Sequence, residues 1–331
     1  MMFSCWCSPM TSRRQSGGVR ILLILCITVI SSCQAAPSGY SGVFDGSAGR
    51  WVDLTHSFAE STIYWPTDTA GFQLQELAFG QTEGGWFYAS YQLASAEHGG
   101  THLDAPIHFA DGGLMNDEIP LSGLIGPAAV VDVSEKIDPD YLVSIEDLTT
   151  WEAVNGDIQD GAILLIRTGW SDRWDDRTAY LGTNMTGEEA VTQLHFPGIS
   201  EELAQWLVDE RGIVALGIDT PSIDYGQSSD FRAHVTLYRE NISGFENITN
   251  LDLLPATGSF VVALPMKIEG GSGGPLRIVA FVPAELGSCT GWMAPSAFPR
   301  SGHRPSARAT NWLGVSSSPI ATTMNWRPLA I

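Results

Sequence analysis

Between residues 98 and 108 the chain reads His98-Gly-Gly-Thr-His102-Leu-Asp104-Ala-Pro-Ile-His108, and no other stretch restricts the local fold as much. Each glycine costs a helix interior about 1 kcal/mol and Pro106 about 3 kcal/mol, so the segment is no regular helix. In an extended chain, residues of one parity face one side, which aligns His98, His102, Asp104 and His108. At roughly 3.3 Å per residue, positions 102 and 104 stand about 7 Å apart, within reach of one ion. Positions 98 and 102 lie about 13 Å apart if the chain is straight, so sharing an ion through bonds of about 2 Å demands a bend. Gly99-Gly100 can supply it.

His98, His102 and Asp104 thus form a candidate N,N,O ligand set without sulfur, suited to Zn²⁺ or Mn²⁺. His108 lies one step further, beyond Pro106, better placed to move protons than to ligate. The competing reading, histidines satisfied in an ordinary loop, leaves many imidazole nitrogens in need of partners.

The flanking sequence narrows the class. The chain has 37 acidic and 17 basic residues and no basic cluster in its middle, so it cannot build a surface that tracks phosphates; nucleic acid is not an expected partner. Arg13, Arg14 and Arg20 precede the apolar run Ile21 to Ile30, and small residues follow through Ala35 and Ala36. This reads as a signal peptide over 1–35 and predicts delivery to the secretory lumen or outside, with no membrane attachment after cleavage. Cleavage near Ala35 leaves Cys289 as the sole thiol, so no internal disulfide is expected. Of the three sequons, at Asn184, Asn241 and Asn247, the first is the favoured glycan acceptor. Residues 36–49 read as a linker. Residues 286–331 lack acidic groups and periodicity and read as a low-complexity, disordered tail.

The body, 50–285, alternates helices and strands in one α/β layered domain. Ser200 caps a helix that Gly212 stops, and Ser144 with Asp147 forms a capping box ahead of another. A short helix is expected over Phe231 to Arg239. Buried strands are expected at 128–133, 162–166, 213–218, 260–264 and 276–282. Gly270 to Gly274 lacks the strand–helix context and lysine of a phosphate loop. His56 reads as a second-layer or simply hydrogen-bonded group, His195 as structural, and Asp219 and Asp224 as ligand-orienting or turn-capping.

The 98–108 motif resembles the signature of the cyclase-like metal-dependent hydrolases, the family that includes isatin hydrolase and bacterial kynurenine formamidase. The resemblance extends from Asp53-Leu-Thr-His56 to Gly270-Gly-Ser-Gly-Gly-Pro275. Thr62-Ile-Tyr-Trp-Pro66, Ala96-Glu-His98 and Asp219-Thr-Pro-Ser-Ile-Asp-Tyr-Gly-Gln-Ser228 are most similar to the isatin hydrolase branch. The resemblance implies a mixed, barrel-like central sheet flanked by helices, of the swivelling β/β/α type, and a homodimer. It implies that His98, His102 and Asp104 hold the metal and that His108 is the acid/base. His234 and Glu246 stand at the spacing that completes a two-metal site in the formamidase branch; one ion or two stays open. Trp65 and Phe58 are implied as pocket members, and Gln227 or Ser228 as contacts to the substrate carbonyl or metal water. The aromatics Tyr64-Trp65 and Trp86-Phe87-Tyr88 are further stacking candidates or core.

The expected chemistry is hydrolysis of a small aromatic amide. A divalent ion with open positions brings the pKa of its water to about 7, supplying the nucleophile, while His108 carries the proton. A cyclic amide such as isatin opens to isatinate; an arylformamide such as N-formylkynurenine releases formate. A lyase or lactonase could use the same ion. From another class, a secreted non-catalytic metal-binding protein would have no need of the spare base His108.

Overall fold

A computed structural model of the chain describes residues 41–136 and 138–284. The segments expected to be a signal peptide and a low-complexity tail, all five cysteines and His303 lie outside the described residues. In chain order the strands are β1 (Gly49–Asp53), β2 (Gln73–Gln81), β3 (Phe87–Ala94), β4 (His102–Asp104), β5 (Ile125–Asp132), β6 (Leu142–Val143), β7 (Ile163–Arg167), β8 (Gly198–Ile199), β9 (Ala215–Ile218), β10 (Ser243–Glu246), β11 (Thr257–Pro265) and β12 (Gly273–Pro283). The α-helices are α1 (Ser41–Asp45), α2 (Ile145–Asn155), α3 (Arg177–Leu181), α4 (Glu188–Val191), α5 (Glu201–Glu210) and α6 (Arg232–Arg239).

The strands expected at 128–133, 162–166 and 213–218 form because their apolar runs are covered on both faces, which suits parallel strands at the centre of a sheet. β5, β7, β9 and β10 are parallel neighbours, with Ala128 opposite Ile163 and Ile163 opposite Ala215. Leu164, Ile166, Leu216 and Ile218 pack under α2, α5 and α6, while Ile163, Leu165 and Ala215 join a second core with Leu103, Phe245 and Ile278. The antiparallel strands β11, β12 and β4 complete the circuit. The order β12-β11-β5-β7-β9-β10-β4 closes because β4 pairs with both β10 and β12, and β1 flanks β12. The mixed, barrel-like sheet is therefore as expected.

Local signals were read well where side chains near in sequence satisfy the backbone. Ser144 and Asp147 cap α2 reciprocally, and the Ser200 hydroxyl accepts from Leu203 N–H. Gly212 is not the stop. Arg211 already leaves α5 in an extended conformation, and its guanidinium pairs with Glu152 of α2 at 2.7 Å. The segment 36–49 is not merely a linker: it contains α1, and the Trp51 indole donates to the Val43 carbonyl. Asn247 is buried, with its amide donating to the Gly100 carbonyl, which removes it as a glycan acceptor; Asn184 is exposed. No helix among the described residues is long and apolar enough to cross a membrane.

Candidate metal centre

β4 contributes two donors because alternate strand residues face opposite sides. Leu103 enters the inner core, while His102 and Asp104 point outward toward α6. The register sets Glu246 of β10 directly opposite His102, and their Nε2 and Oε2 atoms stand 3.4 Å apart. α6 adds His234, whose Nε2 lies 3.2 Å from Glu246 Oε1 and 3.4 Å from Asp104 Oδ2. Its next turn adds Tyr238, whose hydroxyl donates to Asp104 Oδ2 at 3.1 Å.

Extended parity over 98–108 is not what gathers the rest. Only His102–Asp104 is strand, and Pro106–His108 is a 3₁₀ turn with proline at its first position. His98 arrives through the glycine bend: Gly100 takes φ +60°, and a side chain at Gly99 would collide with the Tyr64 ring. The bend brings His98 Nδ1 to 2.6 Å from Asp104 Oδ1. The 3₁₀ turn then folds His108 back to stack on His98, with centroids 3.8 Å apart and planes 16° apart.

The hydrogen bonds of each imidazole's outer nitrogen fix which nitrogen faces the centre. His102 Nδ1 donates to the Gly100 carbonyl and His234 Nδ1 to Asp224, leaving Nε2 inward in both. His98 is reversed: Nε2 donates to Ser272 Oγ at 2.9 Å, Ser272 donates to Glu97 at 2.6 Å, and Nδ1 faces inward. The Gly270–Pro275 segment is thus a brace for His98. Asp224 orients His234 and also accepts from the N–H groups of Ala233 and His234. Asp219, by contrast, clips β9 to the loop after β7, accepting from Thr168 and Gly169. Burial pushes it up to about 6.

Two carboxylates and three imidazoles converge in an interior where an unpaired charge is costly. Although burial disfavours a charged His102, the facing Asp104 and Glu246 outweigh it and push the imidazole up to about 9. Burial also opposes the Asp104 charge, but His98, His102 and His234 hold it well below the usual carboxylate range. The centre draws positive charge, and its inward atoms are all N or O donors, so a divalent cation fits. His102, Asp104 and Glu246 can each offer an atom within 4.8 Å of the others, and so can His98, Asp104 and His108. Asp104 belongs to both groups. Burial lowers His108 to about 4, more than Asp104 raises it, so its ring is neutral at pH 7.

A cavity of about 360 Å³ opens onto these groups, walled by Ile63, Tyr64, Trp65, Phe109, Pro221 and Phe231. Of the residues expected at the substrate, Trp65 is in its wall; Phe58, Gln227 and Ser228 are not. Phe58 is taken up by Phe72 and the space above Gly100, the Gln227 amide donates to the Leu194 carbonyl, and the Ser228 hydroxyl donates to Asp224. Trp86, Phe87 and Tyr88 sit on the exposed β2–β3 hairpin, away from this wall and from the core.

The Cyclase family profile matches residues 52–225, more than half of the chain. The chain belongs to the cyclase family. It is 33% identical to isatin hydrolase of Roseibium aggregatum over 76% of this chain and 99% of that protein. Kynurenine formamidase of Bacillus cereus is 26% identical over 70% of this chain and 96% of its own length. A crystal structure of an isatin hydrolase bound to the product analogue thioisatinate superposes with a TM-score of 0.66 and 32% identity, covering 76% of this chain and all of that one.

In this cyclase-family chain, His56 and His195 stand apart from the centre. The His56 ring stacks on Trp174 at 4.1 Å, and burial lowers it to about 4; exposed His195 pairs with Asp140 at 2.9 Å. The sequence assigns no role at the centre to Tyr238, Phe109 or Phe231, nor to Ser272 and Glu97, which stand in the stretches that carry the family resemblance. Tyr238 has a local signal, four residues after His234 and so on the same helix face.

Proposed function

We propose that this protein is a metal-dependent hydrolase of carbon–nitrogen bonds that opens a small cyclic aromatic amide, such as isatin, to the corresponding acid. The observation that carries the reading is one ligand set lining one aromatic-walled cavity, with His108 in the same lining, stacked on His98. Likeness to isatin hydrolase over most of both chains supports the substrate class. His98, His102, Asp104, His234 and Glu246 would hold the ion, and N and O donors without sulfur suit Mn²⁺ or Zn²⁺. When bound, the ion supplies Lewis acidity, activating water and polarising the amide carbonyl. The protein's own contribution is then positional. Trp65 and the other wall residues exclude solvent from a flat ring, and neutral His108 takes a proton and returns it to the departing nitrogen. The leader supports action in the secretory lumen.

The test is an absorbance screen of the mature protein on isatin, N-formylkynurenine, lactones and aliphatic imides, before and after chelation. Isatin turnover that is lost on chelation and restored by Mn²⁺ or Zn²⁺ is the expected result. Preferential release of formate would move the protein to the arylformamidases, and metal uptake without any turnover would make it a non-catalytic binder.

We also propose a homodimer, and the β2–β3 hairpin supports it. Its register puts Leu74, Leu93, Tyr91, Phe79 and Phe87 on one face, together with Glu76 and Gln81, and Gln73, Gln75, Gln92, Ser90 and Tyr88 on the other. The apolar face is uncovered, with Phe79 62% and Leu93 53% exposed. Five half-exposed side chains at about 100 Å² each give roughly 1,000 Å² over two copies, the lower bound for a specific interface. The strands carry no basic residue to counter the chain's net charge of −20, so apolar contact must supply the attraction. Sedimentation equilibrium should show a dimer that F79E/L93E converts to monomer and Q92E on the opposite face leaves intact. A monomeric parent protein would refute it.

A further inference from the structure

Among the described residues, four other than glycine adopt positive φ: Asn241, Asn247, Asn250 and Phe231. Asparagine tolerates this left-handed region because its short polar side chain bonds locally, whereas a bulky side chain there is an outlier that costs about 1–2 kcal/mol. Phe231, with φ 49° and ψ 46°, immediately precedes α6. Such strain persists only where neighbours over-determine it. Here the brace is visible: the Phe231 N–H donates to Ser228 Oγ at 3.1 Å, and that hydroxyl donates to Asp224, the residue that orients His234. On the other side, the Phe231 carbonyl accepts from Val235 N–H in the first turn of α6.

The strained backbone places the ring in the cavity wall, 5.1 Å from Phe109, 6.3 Å from Trp65 and 6.1 Å from His234. Helix capping does not need this ring, since Asp224 already accepts from the N–H groups of Ala233 and His234. We propose that Phe231 is a specificity-determining residue, held in a left-handed conformation by Ser228 so that its ring, with those of Trp65 and Phe109, selects flat aromatic substrates. This rests on the hydrolase reading above. It also gives Ser228 work other than the expected substrate contact: positioning Phe231.

The experiment compares F231G, F231N and F231A with the parent in the metal-loaded, full-length mature protein. All three remove the ring, but Gly and Asn adopt the backbone conformation readily while Ala does not. Expected is a rise of about ten-fold in KM for isatin in all three, with the preference for isatin over an aliphatic cyclic imide falling by the same factor. The Gly and Asn variants should melt about 2–4 °C above the Ala variant. Isatin binding is also read without turnover, by quenching of tryptophan fluorescence. A parent that binds isatin more tightly than the variants but hydrolyses no amide sinks the hydrolase reading and leaves this inference standing. Equal isatin affinity in parent and variants overturns it, as does an Ala variant that melts with the Gly variant.

Discussion

Asp104→Ala should empty the centre of its ion and reduce amide hydrolysis to background. Asp104 is the one residue within reach of every other donor. Its Oδ1 meets His98 and His102, and its Oδ2 meets His234 and the Tyr238 hydroxyl. Removing a neighbour that merely orients a ligand already costs about 10–100-fold in metal affinity. Removing a shared carboxylate takes away both a direct bond and the charge that balances the cation. Elemental analysis after dialysis, beside far-UV circular dichroism to confirm folding, checks this. A folded variant with the parent's metal content and rate would show that the cluster is a hydrogen-bonded core feature and not a metal site.

His108→Ala should have the opposite profile: metal content unchanged and kcat down by about 10²–10⁴-fold, the usual contribution of a positioned acid/base. Its ring stacks on His98 at the cavity wall, and burial holds it neutral, the form that accepts a proton. The decisive measurement pairs elemental analysis with turnover on one preparation. Full activity would remove His108 from the chemistry. Loss of both activity and metal would make it a ligand, a role its grouping with His98 and Asp104 permits.

The centre was unevenly legible in the sequence. Spacing pointed to His98, His102, Asp104 and His108 because a glycine pair, a proline and four donors crowd into one short stretch. The glycine bend that carries His98 is the one expected from the sequence, but the 3₁₀ turn that carries His108 is not. Strand parity accounts for His102 and Asp104, whereas His98 and His108 arrive by a left-handed bend and a 3₁₀ turn, whose dihedral angles depend on what packs around them. Gln227 and Ser228 were expected at the substrate, but their polar groups were claimed by Leu194 and Asp224, partners visible only once the chain had folded.

The sequence by itself determined the donor types, the sites of the bend and the turn, the buried strand runs and the helix caps. Each of these is set by groups a few residues apart, where covalent geometry and local hydrogen bonds decide. Only the tertiary structure decided that Glu246 faces His102, because a strand register joins residues 144 positions apart. It alone reversed His98 so that Nδ1 points inward, because Ser272 occupies Nε2 from the far end of the chain. It alone also turned Phe231 into the cavity wall. Those outcomes depend on which surfaces meet, and that depends on burying the whole core at once.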